Sequence, residues 1–108
     1  MISAWQVVAL AGAHFVGDFA LQFPWMAMGK SKSMAPLAAH VLVYSACFLW
    51  AGVVYALVNG AVHMVVDFVT SRVNAKNWAD KKVRAFWLGV GFDQFLHVAT
   101  LALTFGVL

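Results

Sequence analysis

All seven lysines and arginines of the chain lie in two short stretches, 30–32 and 72–84, and long apolar segments run on either side of them. An apolar segment of roughly 20 residues has few destinations other than a bilayer. With 108 residues, 64% hydrophobic and 10% charged, the chain lacks the polar groups to dress a water-facing surface. Soluble domains carry roughly 25% charged residues. The expectation is an all-α integral membrane protein, a four-helix bundle with short loops in a single transmembrane domain over 1–108.

The spans are expected at about 2–23, 35–58, 61–74 and 83–108. Pro24 stops the first, and Pro36 falls in the first turn of the second, where proline is tolerated. Asn59-Gly60 reads as the turn between the second and third. The third is short. At ~1.5 Å per residue it covers about 21 Å of a ~30 Å hydrocarbon core, so it must thin the bilayer, lean on its neighbours or extend through Val58. One long kinked helix through the second and third segments is the alternative.

With four spans, both basic linkers share one side. The positive-inside rule places them in the cytoplasm, and both termini with the Asn59-Gly60 turn outside. Trp25, Trp78 and Trp87 flank the basic side while Trp5 and Trp50 lie nearer the other, as an interfacial belt would. The start, MISAWQ, has no basic region or small-residue cleavage site, so no secretory leader is expected there. Cys47 is the single cysteine, which excludes an intrachain disulfide.

The ionisable groups sit where such a chain can least tolerate them. Of four aspartates only Asp80 is in a linker. Asp18, Asp67 and Asp93 lie inside spans, and so do His14, His40, His63 and His97. Three pairs share a four-residue spacing: HFVGDF at 14–19, HMVVDF at 63–68, and the reversed FDQFLH at 92–97. That spacing puts both side chains on one helix face. Counted from the cytoplasmic helix ends, the donors of all four segments fall within about 8 Å of one level.

A charge at the bilayer centre costs on the order of 3 kcal/mol even on the gentler insertion scale. No Lys or Arg within the spans is expected to offset the three carboxylates. The remaining solutions are protonated aspartates, charged His–Asp pairs or bound cations. Seven donors exceed the four that one zinc takes and suit two divalent ions sharing ligands. The expected metal ligands are His14, Asp18, His40, His63, Asp67, Asp93 and His97, with Asp18, Asp67 and Asp93 also catalytic. Gln22 and Gln94 are expected to orient carboxylates or a water. Imidazole and carboxylate without thiolate suit zinc first, then manganese or iron.

The motifs HFVGDFALQFPWMAMGK, His40, HMVVDF and FDQFLH together resemble a small bacterial and phage membrane family labelled domain of unknown function 3307. The likeness covers nearly the whole chain and implies a bacterial inner-membrane location. The His-x-x-x-Asp pairs also resemble metal-dependent inner-membrane hydrolases of the YdjM type. More distantly they are similar to the zinc-dependent phospholipase C and single-strand nuclease superfamily, whose all-helical enzymes hydrolyse phosphoesters at a zinc cluster. This chain departs from that superfamily: Trp5 is not N-terminal, and there is no glutamate.

The reading is a membrane-embedded metal-dependent hydrolase acting on a phosphoester or phospholipid-like substrate. Its expected partners are the lipid bilayer and an anionic or phosphorylated amphiphile, with an oligomer compatible and no nucleic acid. The alternatives are an intramembrane ion- or proton-handling or metal-transport protein, and a non-enzymatic structural protein. The outer halves of the segments are almost purely apolar, Thr100 and Thr104 excepted, which favours a one-sided site over a conducting path.

Overall fold

Ser3 begins the first helix with a capping box. Its hydroxyl accepts the Gln6 N–H at 3.2 Å, and the Gln6 side chain accepts the Ser3 N–H at 2.8 Å. In the computed structural model, which describes residues 2–108, helix α1 (Ala4–Phe15) then runs into a π-helical turn, Val16–Ala20. There the Leu21 N–H reaches back five residues to the Val16 carbonyl at 2.8 Å. Pro24 opens the short α2 (Pro24–Gly29), its fixed φ and missing N–H suited to a first helical position. Helices α3 (Met34–Ala46), α4 (Val53–Ala79) and α5 (Val83–Thr104) follow, and no strand occurs among the described residues. The all-α expectation holds, with five α-helices.

The reversal between the second and third apolar segments lies at 47–52, not at Asn59-Gly60. Residues Leu49–Ala51 make a 3-10 turn, and Gly52, at φ 124° and ψ 147°, takes a conformation open essentially to glycine alone. Asn59 and Gly60 are interior to α4. Asn59 donates to Thr104 Oγ1 at 3.0 Å, and a Cβ on Gly60 would collide with Ser45 Oγ. The pair therefore serves close helix contact rather than a turn. Much of the second basic linker is also helical, and the chain turns only at 80–82. Helix α4 has 27 residues, about 40 Å at 1.5 Å each, so the third segment need not thin a bilayer.

Helix α3 packs on α4, α4 on α5, and α1 closes the arrangement against α5, while the π-helical turn rests on α3. Near the 47–52 turn, Leu10, Tyr44, Phe48, Tyr55, Ala56 and Leu101 form a buried apolar cluster. The Tyr55 hydroxyl donates to the Leu101 carbonyl at 2.8 Å within it. The outer faces carry large apolar side chains, Val65, Phe92, Phe95 and Leu103 among them, whereas all four histidines are buried. Helices α4 and α5 are long and apolar enough to cross a membrane; α3 is apolar but has 13 residues.

Candidate metal centre

Asp18 sits in the π-helical turn, and Gly17 beside it lets that turn nest on α3. A Cβ on Gly17 would stand 3.2 Å from both the Cα and the ring of Tyr44. The close approach brings Asp18 to α3, where His40 Nε2 lies 3.1 Å from Asp18 Oδ1. From α4, His63 Nε2 comes within 3.0 Å of His40 Nε2 and 3.6 Å of the same Asp18 oxygen. Asp67, one turn on, places Oδ2 3.5 Å from His40 Nε2 and 3.7 Å from His63 Nε2. From α5, Asp93 and His97 pair at 3.1 Å. The His97 ring stacks on His63, centroids 3.9 Å apart, and Tyr44 stacks on the other face of His63 at the same separation.

Three overlapping groups of buried ligand atoms result: Asp18/His40/His63, His63/Asp67/His97 and Asp18/Asp93/His97, each with its atoms within 4.8 Å of one another. These spacings suit a cation. Two ligand atoms ~2.0–2.1 Å from one zinc at a tetrahedral angle stand ~3.3 Å apart. The facing His40 and His63 nitrogens and Asp18 Oδ1 bracket that value. His97 Nε2 is buried without a hydrogen-bond partner and lies 3.1 Å from Asp93 Oδ1, a spacing that two ligands of one cation would have. Buried imidazole and carboxylate groups at these separations could hold a metal ion.

Six of the seven expected ligands belong to these groups. His14 lies beside them, its Nε2 3.6 Å from Asp18 Oδ2. Gln94 explains its place. The Gln94 amide donates to Asp18 Oδ2 at 2.9 Å and Asp93 Oδ2 at 3.1 Å, which turns Oε1 towards His14 Nε2 at 2.6 Å. His14 therefore donates from Nε2, and Nδ1 accepts the Tyr44 hydroxyl at 3.2 Å. In this arrangement His14 and Gln94 fix two carboxylates from behind. Gln22 donates instead to the backbone carbonyl of Asp18 at 3.1 Å and touches no carboxylate oxygen.

The expectation that no basic side chain offsets the carboxylates needs correction. Lys30, from the loop after α2, reaches in and places Nζ 2.9 and 3.1 Å from the two Asp67 oxygens. Thr70, also unforeseen, donates to Asp93 Oδ1 at 2.6 Å. Both are 23 or more residues from their partners, and only the tertiary fold brings them in. Helical spacing does place Thr70 three residues after Asp67, which is the signal that could have found it.

The three aspartates of the cluster line a cavity of about 620 Å³, within the range of small-molecule sites. Asp18, Asp67, Asp93 and Gln94 line it together with the apolar Phe19, Met28, Trp78, Phe86 and Trp87 and with Lys30, Ser31 and Lys32 of the basic loop. The apolar cluster around Tyr44, Phe48 and Tyr55 lies on the opposite side of the histidines. No curated protein and no solved structure matches the chain. A family model does match it over residues 7–107, and the chain accordingly belongs to the family described as protein of unknown function (DUF3307).

Proposed function

We propose that the protein is a membrane-embedded, metal-dependent hydrolase of phosphoesters, with a two-ion site made by Asp18, His40, His63, Asp67, Asp93 and His97. The observation that carries this reading is the mutual approach of His40 Nε2, His63 Nε2 and Asp18 Oδ1 at 3.0–3.6 Å, all three buried, with Asp18 also lining a cavity. A divalent cation held there supplies Lewis acidity towards a phosphoryl oxygen and acidifies a water. The chain's own residues do the rest. His14, Gln94 and Thr70 hold the carboxylates in register. The His-x-x-x-Asp pairs are also the feature through which the sequence resembles the zinc-dependent phospholipase C superfamily.

The apolar outward faces and the two span-length helices support a bilayer location. Confinement of Lys and Arg to one side supports a cytoplasmic position for the basic loops. The Tyr44–Phe48–Tyr55 cluster behind the histidines favours a one-sided site over a conducting path.

The test is elemental analysis of the purified, folded protein, with p-nitrophenyl phosphate hydrolysis measured before and after chelation. About two divalent ions per chain, zinc first, and activity lost with the metal are expected. Metal-replete expression that yields folded protein without metal overturns the reading.

A further inference from the structure

Lys30 has no role in holding a cation, yet of the two lysines that line the cavity it is the one whose ammonium bonds a carboxylate of the cluster. It comes from a loop, and its side chain keeps 15% of its exposure. It has the freedom to swing from Asp67 towards whatever occupies the cavity. If Asp67 turns to a cation, Lys30 loses its partner and its ammonium faces the empty volume. Resting on the two-ion reading above, we propose that Lys30 is the specificity-determining residue that selects a phosphomonoester dianion carrying an alkyl chain, in preference to a phosphodiester.

The charge at the floor decides between the two esters. Asp18, Asp67 and Asp93 bring three negative charges and Lys30 one positive. The ligating histidines are neutral. Two divalent cations leave a surplus of two positive charges. A phosphomonoester carries about −1.5 to −2 at neutral pH and closes that surplus; a diester, with about one negative charge, leaves half of it open. Without Lys30 the surplus falls to one, and the advantage of the monoester goes with it. The walls supply the second half of the recognition: Phe19, Met28, Trp78, Phe86, Trp87 and Val90 offer an apolar lining to a chain attached to the phosphate.

The experiment measures binding rather than turnover. Full-length protein, metal-loaded and assayed for metal, is placed in nanodiscs of zwitterionic lipid. It is titrated calorimetrically with hexylphosphonate at a pH where that probe is a dianion. The comparison probes are the monomethyl ester of hexylphosphonate, inorganic phosphate and hexanol. Wild type should bind hexylphosphonate more than about tenfold tighter than its ester, since one further charge contact near a protein surface is worth at least that factor. Lys30→Met should bring the two within about threefold at unchanged metal content, and Lys30→Arg should restore the preference. Phosphate and hexanol, each lacking one half of the probe, should bind more weakly than hexylphosphonate.

Equal binding of the dianion and its ester by wild type overturns the proposal. So does a preference that survives Lys30→Met with the metal in place. Phosphate binding as tight as hexylphosphonate overturns the alkyl requirement. Folded protein without metal is a different failure, visible in the metal assay, and removes the hydrolase reading together with this one.

Discussion

Asp67 stands between the Lys30 ammonium on one side and the His40 and His63 ring nitrogens on the other. Metal removal therefore leaves Asp67 a partner. Asp18 and Asp93 keep hydrogen bonds from Gln94 and Thr70 but no lysine or arginine. Chelation should still destabilise wild type, by about 2.7 kcal/mol for each ion whose free concentration had stood at 100 times its dissociation constant. Asp67→Asn removes a charge and a donor at nearly constant size, so its chelator-induced loss should be less than half of that. Asp80→Asn, exposed between α4 and α5, should respond as wild type does. Thermal melts with and without chelator check this; equal shifts in wild type and Asp67→Asn would remove Asp67 from the ligand set. The His–Asp pairs were legible because four residues is one helical turn, and the helix alone then sets their geometry. Lys30 was not, because its reach to Asp67 across 37 residues depends on how α2 folds back beneath the bundle. His14 shows the converse: it has the ligand spacing, but Tyr44 and Gln94 occupy both of its nitrogens.

At the scale of elements, the turn at 47–52 rests on one residue. Gly52 has φ 124°, where a side chain strains the backbone, and its carbonyl accepts the Ala56 N–H at 2.9 Å to begin α4. Gly52→Ala should cost about 1–3 kcal/mol of stability, measured by denaturation in mild detergent, with metal content unchanged in the folded fraction. No loss would mean that the turn relaxes freely. The sequence around it, CFLWAG, is almost wholly apolar and carries no turn signal before Gly52. Asn59-Gly60 carries a strong one, yet there glycine serves the contact with Ser45 and asparagine the bond to Thr104. The helical periods were readable, but the point of reversal was set by which small residues the packing needs. The π-helical turn was equally hidden, since its extra residue is stabilised by contact with α3 and not by local propensity.

For the molecule as a whole, polar groups face inward and apolar ones outward, the distribution expected of a chain whose solvent is lipid. If α1, α3, α4 and α5 each cross the bilayer, the loops between them alternate between its two sides. Single cysteines in a Cys47→Ala background, at Ser3 and Trp50 for one side and Lys32 and Asn77 for the other, should divide two against two in labelling with a membrane-impermeant reagent. Lys32 and Asn77 should be the cytoplasmic pair. Lys32 and Asn77 on opposite sides would refute the four-crossing arrangement, and Ser3 in the cytoplasm with Lys32 outside would invert it.

The π-helical turn is, in effect, a tolerated one-residue insertion. Deleting Phe19 would let the Val16–Ala20 stretch close as ordinary α-helix, with the N–H of Leu21 still bonded to the Val16 carbonyl, so Pro24 and everything after it would keep its direction relative to α1. The loss would be local: the widened turn that nests Gly17 on α3 would go, and with it the approach of Asp18 to His40. The extra residue therefore serves the site and not the path of the chain.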